Sequence, residues 1–390
     1  MNNFIYEIPT KVYFGEKQLQ KNLSEEVKKC GSKVLLVYGG GSIKKNGLYQ
    51  EIMEELEDPE IEVYEFSGIE PNPRHTAVNE AVAICKEKDI DVILAVGGGS
   101  VIDSCKATAA GKYYDGDIWD FAEKKAEIKK ALPIIAILTL ASTGSEMYTN
   151  SVISNLDLHE KKGIKSTLLR PKVSFLDPTL TYSVNQYQTA CGSFDILSHI
   201  METYFAREDG LHMLDTIMEG LMRTVIKYAP IAYHEPDNYE ARANLMWASS
   251  WALNGFVRID KQPNTWACHP IEHELSAFYD ITHGLGLAIL TPRYLRYALS
   301  EDTVDRYYQF GVNVWNIDAN LPKMEVAEKS IECLEKLFYQ DLKLTDHLTD
   351  LNINEEHFEE MADRVCVNGV VKSFIDLDKG DVVKILKECL

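Results

Sequence analysis

The tetrad Gly-Gly-Gly-Ser occurs twice, at residues 39–42 and 97–100, each time between an apolar run and a stretch of helical spacing. Glycines at the end of a β-branched run let the backbone bend sharply into a following helix, which is how a parallel α/β sheet is wound. Lys33–Tyr38 and residues 91–96 are the runs that precede the two tetrads, and similar runs stand at 61–66, 133–138 and Val173–Leu176. Residues 74–88 have helical period between two of these runs. The alternation predicts a parallel, Rossmann-like sheet flanked by helices. Ahead of it, residues 4–8 and Lys11–Phe14 flank Pro9 and Thr10 and are expected to pair as an antiparallel hairpin. After Pro178 the strand signal stops, and segments 215–228, 239–255, 323–339 and 380–390 have helical spacing. The division predicted is an α/β domain over 1–182 and an all-helical domain over 183–390.

Composition narrows the partners. The 390 residues include 60 acidic and 40 basic side chains, a formal net charge of −20. Such a surface disfavours nucleic acid and anionic lipid. The apolar run near residues 131–141 is about half the ~20 residues of a membrane span, and no basic segment followed by an apolar stretch opens the chain. Eight scattered cysteines without a CxxC pair read as reduced thiols. A soluble, cytoplasmic protein with no membrane or nucleic-acid partner is expected.

At either tetrad the next helix offers free N–H groups and a partial positive charge to a phosphate. Either turn alone is also a plain strand-to-helix bend; two in one sheet raise the ligand reading. The GxGxxG spacing of the common dinucleotide fold is absent, and so is an acid at the end of Lys33–Tyr38. An acid there repels a 2′-phosphate, whereas here Gly39, Gly40, Gly41 and Ser42 are followed by Lys44 and Lys45. That favours NADP(H) over NAD(H). A third cluster, Thr139 to Glu146, follows the 133–138 run, and its hydroxyls can bond a dinucleotide or cap a helix.

The second half carries the strongest signal. Asp195 and His199 stand four apart, so a helix puts them on one face. His269, His273 and His283 follow within a short stretch. One carboxylate and several neutral imidazoles suit a divalent transition metal such as zinc or ferrous iron. Five candidates exceed four ligands, and spacing alone does not say which stands outside. Cys268 projects about 100° away from His269 on a helix and is left out.

Together these motifs resemble the iron-containing, or group III, alcohol dehydrogenases over essentially the whole chain. The resemblance is carried by Gly97-Gly98-Gly99-Ser100-Val101-Ile102-Asp103 with Lys106, Ser142-Thr143-Gly144-Ser145-Glu146, Phe175-Leu176-Asp177-Pro178, Asp195 with His199, and His269 with His273 and then His283-Gly284. It implies a dehydroquinate-synthase-like architecture: a dinucleotide-binding α/β domain followed by a helical metal-binding and catalytic domain. It implies Asp195, His199, His269 and His283 as ligands of one iron or zinc ion, with His273 as a proton relay. Gly97, Gly98, Gly99 and Ser100 would hold the pyrophosphate, and Gly39, Gly40, Gly41 and Ser42 the ribose and 2′-phosphate. Asp103 belongs to the same cofactor motif, and Asn72, Thr139, Ser142, Asn150 and Lys161 fall where relatives contact cofactor. The turn Tyr38–Ser42 resembles that of the NADPH-dependent butanol dehydrogenases, which implies a homodimer that interconverts a primary alcohol and an aldehyde such as butanol and butanal.

The rivals are a glycerol or polyol dehydrogenase, a dehydroquinate-synthase-like lyase and a non-catalytic binding protein. The lyase should carry a basic cluster beside the ligands, and no Lys or Arg occurs in 195–199 or 266–283. Trp247, Trp251, Phe256, Trp266 and Phe278 suggest a partly apolar pocket, or ordinary helix packing.

Overall fold

In Lys33–Tyr38, Val34, Leu36 and Tyr38 alternate with Leu35 and Val37, and all five are buried. The strand is therefore covered on both faces, as a parallel sheet between helix layers demands. The computed structural model describes residues 3–207, 212–259 and 266–390. Its main sheet has six parallel strands in the order β1-β8-β5-β4-β2-β3. They are β1 (Lys11–Phe14), β2 (Lys33–Tyr38), β3 (Glu62–Phe66), β4 (Val92–Gly97), β5 (Ile134–Leu138) and β8 (Val173–Leu176). Helices α1 (Gln18–Lys28), α2 (Ser42–Lys45), α3 (Leu48–Glu55), α4 (His75–Glu87), α5 (Gly99–Gly111) and α6 (Trp119–Ala122) connect the strands.

The chain forms two compact units, 7–184 with 236–254, and 1–6 with 185–235 and 255–390. The break at 184/185 lies two residues beyond the predicted one. Division into two continuous stretches, however, misses α9 (Tyr239–Leu253), which belongs to the sheet unit. There Met246 joins the core of one sheet face, and the Ser250 hydroxyl donates to Glu146 Oε1 at 2.5 Å. The second unit is helical: α7 (Gln186–Tyr204), α8 (His212–His234), α10 (Cys268–Tyr279), α11 (His283–Ala298), α12 (Val304–Trp315), α13 (Lys323–Glu335), α14 (Phe358–Val365) and α15 (Lys379–Glu388). None of the described helices is long and apolar enough to cross a membrane.

Two strand expectations need correction. Residues 4–8 form no strand, and β1 pairs in parallel with β8, Lys11 opposite Val173. Burial explains the choice: beside β8, Tyr13 stacks on Phe175 with ring centroids 5.0 Å apart. A local hairpin would leave that ring in water. The second miss is an antiparallel pair, β6 (Asn150–Asn155) and β7 (Glu160–Lys165). Its strands are too polar to show as apolar runs. Its turn is held by Asn155 Oδ1, which accepts from the Asp157 and Leu158 amides, and by His159 at φ 48°.

Candidate metal centre and nucleotide cradle

Asp195, His199 and Glu202 recur at i, i+4 and i+7, so α7 presents all three on one face. His269, Glu272 and His273 lie on the first turns of α10, and α10 ends at Asp280, whose φ of 51° turns the chain back. His283 then opens α11. Gly284 lets α11 close on α7, because a Cβ there would stand 2.2 Å from the Cys191 carbonyl oxygen.

The result is a knot of donors around one carboxylate oxygen. Asp195 Oδ1 lies 3.4 Å from His199 Nδ1, 3.8 Å from His269 Nε2 and 3.7 Å from His283 Nε2. Four ligands at about 2.1 Å from a tetrahedral ion stand about 3.4 Å apart, so the spacing fits one metal. The other nitrogens of two imidazoles are taken: His269 Nδ1 bonds Glu202 and His283 Nδ1 bonds Glu272. Each carboxylate fixes its ring and leaves Nε2 facing Asp195, the usual support of a metal-bound histidine. Glu202 also accepts the amides of Ala267 at 2.7 Å and Cys268 at 2.5 Å, so it anchors the start of α10 as well.

Charge balance points the same way. Asp195, Glu202 and Glu272 are buried, and each pairs with at least one histidine. Buried carboxylates require compensating positive charge. Burial pushes His199 down to about 3, the neutral form that offers a lone pair. Burial also opposes charge on His269, but Glu202 and Asp195 outweigh it and lift that ring to about 9. Burial would raise Asp195, yet His199, His269 and His283 hold it well below the usual carboxylate range. A divalent ion fits a site that draws in positive charge in this way.

His273 stands beside this knot, its ring centroid 5.6 Å from that of His283 and 6.4 Å from that of His269. Trp266 packs against the cluster, 4.6 Å from His269 and 5.6 Å from His199. The other aromatic candidates do something else. Trp247 packs on Phe14 and Trp251 within the sheet unit, Phe256 meets Tyr6, and Phe278 meets His357. One cation outside the sequence windows does come near: Arg258 lies 4.3 Å from the Trp266 ring centroid. Among the described residues, this guanidinium by itself is not the basic cluster of the lyase reading.

In the sheet unit β4 runs into Gly98 and then α5. Here the glycines are partly a packing requirement, since a Cβ at Gly97 would meet Val101 at 2.5 Å and one at Gly99 would meet Thr143 at 2.5 Å. The half-buried Ser100 sits in the first turn of α5, where free N–H groups suit a phosphate. Thr139 and Ser142 are half-buried after β5, and the Thr139 amide bonds the Gly97 carbonyl at 3.1 Å, which ties the two strand ends together. At the first tetrad, by contrast, a Cβ on Gly40 or Gly41 would meet nothing within 4 Å, and Gly41 has φ 92°.

Asp103 is spent inside the protein. Its carboxylate accepts from the Ser145 hydroxyl and from the Val152 amide at 2.8 Å, 3.6 Å from Lys106 Nζ. Lys106, wholly buried, donates to Ser145 Oγ at 2.6 Å and to the Asn150 carbonyl at 2.7 Å. Burial pushes this lysine down to about 8. Asp103 and Lys106 therefore hold Ser145 and Asn150 in place. Lys161 is paired across β6–β7 with Ser154, whose amide bonds the Pro73 carbonyl at 2.8 Å, next to Asn72. The unforeseen hairpin thus brings Lys161 close to Asn72, while Asn150 stands at its other end, opposite Lys165. Sequence reasoning also passed over Glu202 and Glu272, although acids at i+7 from Asp195 and i+3 from His269 were a usable signal.

A glycine-turned parallel sheet and a buried carboxylate–imidazole cluster define a class, the metal-dependent oxidoreductases that work with a nicotinamide dinucleotide. The family model of iron-containing alcohol dehydrogenase matches residues 9–178, and that of the Fe-containing alcohol dehydrogenase family, C-terminal, matches 189–390. The chain belongs to the iron-containing alcohol dehydrogenase family. It is similar to NADH-dependent butanol dehydrogenase A of Clostridium acetobutylicum, 47% identical over 390 residues and 100% of both chains. It is also similar to the NADPH-dependent aldehyde reductase YqhD of Escherichia coli, 34% identical over 95% of both chains. Among solved structures, NADH-dependent butanol dehydrogenase A from Thermotoga maritima superposes with TM-score 0.94 at 39% identity, over 100% of this chain and 99% of that one. The butanol dehydrogenases resembled here are named for NADH, not for NADPH as the Tyr38–Ser42 turn implied.

Proposed function

We propose that this alcohol dehydrogenase interconverts short-chain primary alcohols and aldehydes, with butanal as a representative substrate. The observation that carries the reading is the cluster of three imidazoles around Asp195, with Trp266 as an apolar wall beside it. Asp195, His199, His269 and His283 would hold a divalent ion. When bound, such an ion supplies a Lewis acid for the carbonyl oxygen. Glu202 and Glu272 keep the ring protons of His269 and His283 on Nδ1, so that Nε2 stays a ligand. His273 carries a proton on its ring nitrogens to or from the alcohol oxygen. A homodimer is part of the same reading, supported by the exposed apolar side chains of Phe4 and Ile5.

NADP(H) is the preferred dinucleotide on the strength of Gly39–Ser42, open at Gly40 and Gly41 and followed by two lysines. The names of the relatives favour a second reading, NADH. The test follows nicotinamide absorbance with butanal, offering NADPH and NADH separately to protein loaded with ferrous iron or zinc, beside a chelated control. Metal-dependent loss of NADPH faster than of NADH is expected. A preference for NADH would overturn the 2′-phosphate argument and leave the carbonyl chemistry standing. Absence of turnover with either, metal being bound, would overturn the substrate reading.

A further inference from the structure

The end of β2 lacks an acid in sequence, but the fold supplies one from the neighbouring strand. Glu65 on β3 pairs with Leu36 of β2, one strand away from the first glycine turn. Two phenols fix its carboxylate: Tyr38 donates to Oε2 at 2.8 Å and Tyr49 to Oε1 at 2.6 Å. Tyr38 is the residue immediately before Gly39, so the acid is tied to the turn itself. Lys44, two residues beyond Ser42, brings its Nζ to 3.6 Å from Glu65 Oε2 and lies over both phenol rings, 5.1 Å from the centroid of Tyr38 and 4.4 Å from that of Tyr49. The lysine that should greet a 2′-phosphate is therefore already partnered.

We propose that Glu65 is the residue that sets cofactor discrimination, by neutralising Lys44 and so weakening the preference of this turn for a 2′-phosphate. The proposal rests on the reading of residues 39–42 as the adenosine ribose cradle. A free Lys44 would meet the phosphate as a full positive charge. A Lys44 that must leave Glu65, with that carboxylate still held by two phenols, gains less. The ribose of NAD(H) carries no charge at this position and does not feel the difference. Glu65 thus narrows the gap between the two dinucleotides, and the protein binds both. Lys45, exposed on the same short helix, supplies background attraction that Glu65 leaves untouched.

The test measures equilibrium binding of NADP+ and NAD+ by calorimetry on the metal-loaded protein without substrate. Glu65→Gln keeps an acceptor for a phenol and removes the charge. It should tighten NADP+ about three- to fivefold and leave NAD+ nearly unchanged, the value of one exposed ion pair. Lys44→Gln should loosen NADP+, and Glu65→Gln should add nothing in that background. An unchanged NADP+ to NAD+ ratio in Glu65→Gln, with Lys44→Gln still loosening NADP+, overturns the proposal and spares the cradle. Equal shifts for both dinucleotides also overturn it, because they mark a purely structural role. Indifference of NADP+ to both substitutions overturns the cradle itself. If Glu65→Gln does not fold, Tyr49→Phe serves instead. It frees one carboxylate oxygen for Lys44, so NADP+ should weaken relative to NAD+, and an unchanged ratio counts against the proposal equally.

Discussion

Gly284 at the start of α11 packs against Cys191 of α7 so closely that a Cβ would lie 2.2 Å from the Cys191 carbonyl oxygen. The backbone of α7 cannot give way cheaply, since Cys191 is one turn from Asp195 and buried. Gly284→Ala should therefore push the two helices apart, at about 1–3 kcal/mol of stability. His283 moves with the helix, and its 3.7 Å separation from Asp195 grows. Metal affinity should fall about tenfold or more, as expected when a ligand loses its support. Denaturant unfolding and competition with a chelator measure the two effects. Native affinity in a destabilised variant would show that the helix contact does not place the ligand.

Glu202→Gln and Glu272→Gln each replace a buried carboxylate that holds an imidazole Nδ1. Both should lower metal affinity by about 10–100-fold. The two should differ in stability. Glu202 also accepts amides at the start of α10, so its loss costs more than the loss of Glu272, by about 1 kcal/mol. Equal stabilities with unequal affinities would separate the capping role from the ring-holding role.

What was readable in the sequence was what repeats or alternates. Apart from Lys33 the β2, β4 and β5 runs are apolar because both faces are covered, and they stand within one residue of where their composition puts them. The metal motif was readable because Asp195–His199 and His269–His273 use helical spacing. The remainder depends on tertiary choices that leave no local period. β1 abandons its neighbour in sequence for β8, 162 residues away, where Tyr13 gains Phe175. β6 and β7 are polar strands whose pairing, not their composition, makes them strands. Glu65 acquires its place beside Lys44 only through the β2–β3 register, which no reading of residues 33–42 alone contains.

Glu26 links acid stability to the edge strand β1. Burial would raise its carboxyl, but Lys11 at 2.7 Å, Lys29 at 3.0 Å and Tyr13 at 2.8 Å outweigh it and hold the group at about 2 against an ordinary 4.5. A lowered folded value means the charged form is favoured by folding. The contribution is complete above the unfolded value of 4.5 and is lost as pH falls through about 2. Both lysines are half-exposed, so after solvent screening it amounts to about 1–2 kcal/mol. Glu26→Gln should lower stability at neutral pH by that amount and flatten the acid limb of the unfolding profile. A variant with an unchanged limb would place the acid sensitivity elsewhere.

His273 sits one turn beyond His269, with its ring 5.6 Å from that of His283 and 6.4 Å from that of His269. In the function proposed above it moves a proton and does not hold the ion. His273→Ala should keep metal at native stoichiometry and slow turnover by about 10²-fold, the usual worth of a positioned acid–base group. The slowing should appear in kcat more than in KM, because the side chain acts on the proton in flight and not on the bound alcohol as such. Metal content of the purified variant and its pH–rate profile decide the matter. Loss of metal would move His273 into the ligand set, and full activity would transfer the proton path to water or to a hydroxyl of the cofactor ribose.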